Sequence, residues 1–193
     1  MAELNDLSLT RFLEELASGN PTPGGGAAAA LSGALAAALL AMVCRFTVGR
    51  EKFAAVEDEV QAILSEADGA RARFLEAVEA DAQAYAAVGA AYRMPRATDD
   101  EKAARAEAIQ TASWAAAQPP LGVAEEAAAL IRLCQRAAGI TNPMLGSDVT
   151  TAVALARAAI DGGAANVEAN LSGVAPEQAA ELRQRLDAAR AVE

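Results

Sequence analysis

The chain has 193 residues, room for one domain with a sizeable core, and 54 of them are alanine while aromatics make up only 4%. That excess of the strongest helix former, with few β-branched runs, excludes sandwiches, barrels and parallel sheets and predicts an all-α fold. A formal charge of −10 argues against binding nucleic acid, and the absence of histidine removes His-containing triads and the commonest metal ligand, leaving acid–base work to carboxylates, tyrosine, lysine or cysteine.

The opening residues are acidic and amphipathic, without the basic and apolar regions of a secretory signal. Leu9, Phe12, Leu13 and Leu16 recur at helical spacing and predict a first helix over Ser8–Ser18, stopped by Gly19. The loop Asn20 to Gly26 follows, and its two prolines and three glycines forbid regular structure and permit unusual backbone angles. It opens onto a second helix, about Gly26–Val48, with small residues every fourth position (Gly26, Ala30, Ala34, Ala38), which suits close approach of neighbouring helices. No charge occurs between Pro21 and Cys44, a length that could span a bilayer. The Ala, Gly and Ser content carries little transfer free energy, however, and predicts a buried helix of a protein that does not enter the membrane. Cys44 and Cys134 lack metal or redox spacing and read as reduced core thiols of a cytoplasmic protein.

A third helix is expected from near Phe53 to Met94, ended by Pro95. Thr98 and Glu101 form a capping box for a fourth, which should stop before Gln118-Pro119-Pro120. Pro120 should then open a fifth, reaching Ala138. Ser147 is the expected N-cap of a sixth helix ending near Leu171, and Pro176 opens a last amphipathic one. The whole, residues 1–193, reads as a single-domain bundle of long antiparallel helices.

Two places break the apolar pattern. Phe74, Val78, Asp81, Tyr85, Val88 and Tyr92 share one face of the third helix, so Asp81 occupies a core position, either as a pKa-raised functional carboxyl or as a polar residue fixing helix register. On the sixth helix Asn166 and Asn170, four apart beside Gly163, are buried amides that demand partners: backbone, water or a ligand. Three further groups have two readings each. Ser147-Asp148 is a helix cap or a ligand anchor, Arg50 and Lys52 are solvated or bind an anion, and Gly24-Gly25-Gly26 can offer backbone N–H groups without the other parts of a phosphate loop.

Taken in order, Pro21-Thr22-Pro23-Gly24-Gly25-Gly26, Met42-Val43-Cys44 with Gly49 to Phe53, Ala80-Asp81-Ala82-Gln83-Ala84-Tyr85, Ser147-Asp148, and Asn166-Val167 with Asn170 resemble the formiminotransferase-cyclodeaminase family, including its stand-alone methenyltetrahydrofolate cyclohydrolases. The resemblance covers nearly the whole chain. It implies a homodimer with sites near the subunit interface and one-carbon chemistry on a tetrahydrofolate substrate without a tightly bound cofactor. It places the active-site carboxylate at Asp81. Gly24, Gly25, Gly26, Arg50, Lys52, Tyr85, Ser147, Asp148, Asn166 and Asn170 are the substrate-binding candidates, with Asp148 or Asp81 as a pterin anchor. Cyclohydrolase is the first expectation for the reaction. Ammonia-releasing cyclodeaminase, and a non-catalytic helical dimer whose polar residues fix assembly, are the alternatives.

Overall fold

The computed structural model describes residues 4–192; Met1, Ala2, Glu3 and Glu193 lie outside it, among them the first residues of the stretch read above for a secretory signal. Six α-helices follow in order, α1 Leu9–Leu16, α2 Gly25–Arg45, α3 Glu57–Tyr92, α4 Asp99–Ala138, α5 Gly146–Asn170 and α6 Pro176–Arg190, and no strand occurs among the described residues.

Helices α2 to α5 form an up-down-up-down bundle. Gly26 lies against Asp81 and Gly33 against Phe74, which sets α2 antiparallel to α3, and Asn170 meets Ala116, which sets α5 antiparallel to α4. Gly162 against Ala29 and the Ser32 hydroxyl on the Leu155 carbonyl (2.9 Å) close the ring between α5 and α2. The core is built largely of alanine, with Leu40, Ile63, Phe74, Leu121, Leu130, Ile131 and Ile160 as the large fully buried side chains. Small side chains let helix axes approach to the short end of the usual 8–10 Å, so the bundle is narrow and its length carries the burial. α6 lies along α4 and α5 through buried Leu182 and Leu186, the Arg185–Glu125 pair and the Arg183–Glu168 pair.

Local signals account for most boundaries. The Thr98 hydroxyl accepts from the Glu101 N–H while the Glu101 carboxylate accepts from the Thr98 N–H, the expected capping box at the head of α4. Pro176 occupies the first turn of α6, where its missing N–H costs nothing. Gly49 turns the chain after α2 at φ +72°, a left-handed angle that favours glycine, and its N–H is held by both oxygens of Glu57. Between Gly49 and α3 the chain takes a 3-10 turn, Glu51–Val56, so α3 starts four residues later than its expected start at Phe53.

Three expectations are corrected. The break at Pro119-Pro120 does not occur: α4 runs unbroken for 40 residues through both prolines. Proline removes the N–H that would bond the carbonyl four residues back, and for Pro120 that carbonyl is Ala116, which Asn170 Nδ2 supplies from α5 (3.3 Å). The apolar stripe on α3 is buried only over its first part. Phe74 and Val78 are buried, Asp81 and Val88 are half-buried, and Tyr85 and Tyr92 are about half exposed (55% and 51%). The cause is length: Gly26, second residue of α2, lies beside Asp81, so the eleven residues of α3 beyond Asp81 reach about 16 Å past the end of α2. Finally, Ser147 does not cap the helix at 146–170; it lies inside the first turn, after N-cap Leu145.

Candidate active site

At the end of the bundle where α2 begins, the loop 21–25, α3, α4 and α5 enclose a cavity of about 330 Å³. Its wall includes Gly24, Gly25, Asp81, Tyr85, Ala116, Asn166 and Asn170. A larger and more open groove of about 700 Å³ lies between α3 and α4, lined by Arg73, Glu76, Glu125 and Glu126, but none of the candidate residues reaches it. The smaller cavity is the one that gathers Gly24, Gly25, Asp81, Tyr85, Asn166 and Asn170.

Asp81 lies on its wall, half-buried against the first turn of α2. A Cβ on Gly26 would lie 2.8 Å from Oδ2 and overlap Oδ1 and Cγ, so the carboxylate occupies the space that glycine leaves. Gly26 therefore serves space rather than an unusual backbone angle, whereas a Cβ on Gly24 would make only ordinary contact, 3.5 Å from the Pro21 carbonyl; Gly24 is extended at φ −129°, and Gly49 alone takes a positive φ among the described residues. Desolvation by burial pushes the Asp81 carboxyl above its ordinary value of 3.8, opposed by the Ala27 N–H that it accepts. The N–H groups of Gly25 and Gly26, at the positive end of α2, have no acceptor within their own helix.

Asn166 and Asn170 stand on the last turn of α5. Asn166 Nδ2 donates to the Gly162 carbonyl (2.8 Å), and its amide lies against Gly25, where an added Cβ would be 3.3 Å from Nδ2. Asn170 Nδ2 donates to the carbonyls of Asn166 (2.9 Å) and Ala116 (3.3 Å). Tyr85 flanks the opening one turn beyond Asp81.

The remaining candidates lie at the other end of the bundle. Arg50 and Lys52 follow α2, Lys52 lies 5.4 Å from the Phe53 ring centre, and Ser147 and Asp148 open α5. α2 spans 21 residues, so its two ends stand about 30 Å apart, and within one chain these four residues do not join Asp81. Ala84, Val88, Ala116 and Ala169 also line the cavity, and the sequence did not single them out as site residues, because a small apolar residue on a helix reads the same in a cavity wall as in a core.

A helical bundle with a desolvated carboxyl seated at a helix N-terminus, beside amides and free backbone N–H groups, is an arrangement suited to holding a polar small molecule and exchanging a proton with it. Comparison with known proteins is specific. The formiminotransferase-cyclodeaminase family model matches residues 8–188, and the chain belongs to that family. It is 40% identical over 176 residues to the methenyltetrahydrofolate cyclohydrolase of Methylorubrum extorquens, covering 91% of this chain and 85% of that one. It is 32% identical over 179 residues to the formimidoyltransferase-cyclodeaminase of Sus scrofa, covering 92% of this chain and 33% of that longer protein. The crystal structure of formiminotetrahydrofolate cyclodeaminase from Thermotoga maritima superposes with a TM-score of 0.82 at 28% identity, covering 97% of this chain and 94% of that one.

Proposed function

We propose that this chain is a methenyltetrahydrofolate cyclohydrolase, hydrolysing 5,10-methenyltetrahydrofolate reversibly to 10-formyltetrahydrofolate, with Asp81 as general acid and base. The observation that carries the reading is the seat of Asp81: one carboxyl, desolvated and held by the Ala27 N–H, in a cavity large enough for a pterin ring. The full-length likeness to a cyclohydrolase supports it.

The substrate is a cation with its positive charge shared over N5, the bridging carbon and N10. Ionised Asp81 attracts that charge and takes a proton as water adds to the bridging carbon. The neutral adduct then loses its C–N5 bond. Protonated Asp81 returns its proton to N5 while the adduct hydroxyl loses the second proton to solvent and becomes the formyl oxygen on N10. Both water protons are thus accounted for, one on N5 and one released. A carboxyl raised above its ordinary value suits both transfers. The Gly25 N–H, on the cavity wall, is placed to meet the adduct oxygen as it develops charge, with Asn166, Asn170 and Tyr85 as the contacts to the ring. No tightly held cofactor enters this chemistry.

The same reading makes the protein a cytoplasmic homodimer. One face of α2 carries Ala28, Leu31, Leu35, Ala38, Leu39, Met42 and Phe46, all partly or largely exposed and none charged. Leu35, 51% exposed, is the midpoint of the helix. A two-fold axis at Leu35 pairs the helix antiparallel with its copy, which carries one protomer's Arg50, Lys52, Ser147 and Asp148 towards the partner's cavity. Arg50 and Lys52 then meet the substrate's anionic glutamate, and Asp148 can grip the pterin's amino edge.

The test follows methenyltetrahydrofolate absorbance with purified protein, with and without formiminotetrahydrofolate as substrate. Decay of the methenyl compound that Asp81→Asn abolishes supports the cyclohydrolase. Turnover of the formimino substrate alone, with release of ammonia, replaces it with the cyclodeaminase reading.

A further inference from the structure

We propose that Pro120 is a positioning residue, which withholds a backbone N–H from α4 so that Asn170 is locked with its amide oxygen towards the cavity as an acceptor for a ring N–H of the substrate. The inference rests on the folate reading. Its starting point is a helix that tolerates two adjacent prolines in its middle. Without the Pro120 N–H, the Ala116 carbonyl has no donor four residues on, and Asn170 Nδ2 fills that place from α5. The other Nδ2 hydrogen goes to the Asn166 carbonyl, so the donor capacity of the amide is spent. An amide is planar, so with Nδ2 turned to two backbone carbonyls, Oδ1 points the opposite way. Asn170 lines the cavity that holds Asp81, so an oxygen turned away from both carbonyls is available there to a ligand. The packing leaves little slack: a Cβ on Gly163 would stand 2.6 Å from the Pro120 carbonyl, so α4 and α5 touch backbone to backbone at this level.

Asn170 thus has two duties, serving an orphaned carbonyl and presenting an acceptor, and Pro120→Ala separates them. Alanine at 120 gives the Ala116 carbonyl its own helical donor, so the structural duty lapses and the amide, held by the Asn166 carbonyl alone, presents its acceptor less firmly. The experiment measures melting, kcat and KM for methenyltetrahydrofolate, and calorimetric binding of 5-formyltetrahydrofolate, for the wild type, N170A, P120A and P120A/N170A. Expected is a fall in melting temperature for N170A that is largely absent when N170A is made in the P120A background. Expected also is about tenfold weaker folate binding and higher KM for P120A/N170A than for P120A, the loss of one hydrogen bond, with kcat much less affected. Folate binding by P120A as tight as that of the wild type, or no tighter than that of P120A/N170A, with the wild type binding normally, overturns this inference and leaves the folate reading standing. Absence of folate binding by the wild type overturns the folate reading, and this inference with it.

Discussion

Replacing Gly26 by alanine tests the seat of the carboxylate with a single methyl group. The added Cβ would stand 2.8 Å from Asp81 Oδ2 and overlap Oδ1 and Cγ, where ordinary contact begins near 3.4 Å, so the carboxyl must swing away by about 1 Å or more and release the Ala27 N–H. Two stability terms oppose each other. Alanine in a helix gains up to about 1 kcal/mol over glycine, and a displaced side chain forced off its rotamer costs about 0.5–1.5 kcal/mol. The net change is within about 1–2 kcal/mol, a few degrees in Tm for a chain of this size. Catalysis has no such offset. A proton carrier misplaced by about 1 Å loses on the order of 100-fold in rate, and general acid–base catalysis as a whole contributes about 10²–10⁴-fold. The variant should therefore melt near the wild type yet lose at least about 100-fold in kcat, measured by methenyltetrahydrofolate absorbance alongside circular dichroism. Gly33→Ala is the control, because its Cβ would stand 2.6 Å from Cδ1 of Phe74, a fully buried ring with nowhere to go. That change should cost about 1–3 kcal/mol with little effect per folded molecule. Near-normal turnover with alanine at 26 would refute the reasoning.

Asp81→Asn should abolish turnover and leave the protein at least as stable as the wild type at neutral pH. Because the folded carboxyl titrates above 3.8, the native state holds the proton longer than the unfolded chain, so wild-type stability should fall as pH rises from the ordinary to the raised value and then stay level. The Asp81→Asn variant should lack that slope, and the acid limb of kcat for hydrolysis by the wild type should lie above 3.8; identical pH–stability curves for the two proteins would contradict the burial of this group. Burial pushes the thiols of Cys44 and Cys134 up to about 11 and about 12, so neither should react with a thiol reagent in the native protein, and both should react after denaturation. Rapid labelling of either in the native state would contradict that environment. Leu35→Asp should convert the proposed dimer to monomers in analytical ultracentrifugation, with turnover lost. Mixing inactive Asp81→Asn and Asp148→Ala chains should restore part of the activity, since a hybrid dimer holds one site with both residues intact; a mixture as inactive as its parents counts against a site shared between protomers.

The all-α architecture, the capping box at Thr98 and Glu101, the start of α6 at Pro176 and the anomaly of Asp81 were legible along the chain, because each depends on neighbours within about one helical turn or on a period of 3.6 residues. What tertiary structure alone decided were the matters that hang on residues far apart in sequence. Pro119-Pro120 reads locally as a stop, and only the fold brings Asn170 of α5 alongside to supply a donor to the Ala116 carbonyl that Pro120 leaves without one. Tyr85 and Tyr92 lie on the correct face of α3, but whether that face is covered depends on where α2 begins. The glycine run looks built for backbone freedom until Asp81, 55 positions on from Gly26, is found filling the space of a missing side chain. The motif residues that read as one set along the chain are sorted to opposite ends of helices about 30 Å long, because a helix adds only about 1.5 Å per residue in a direction that the local pattern does not specify.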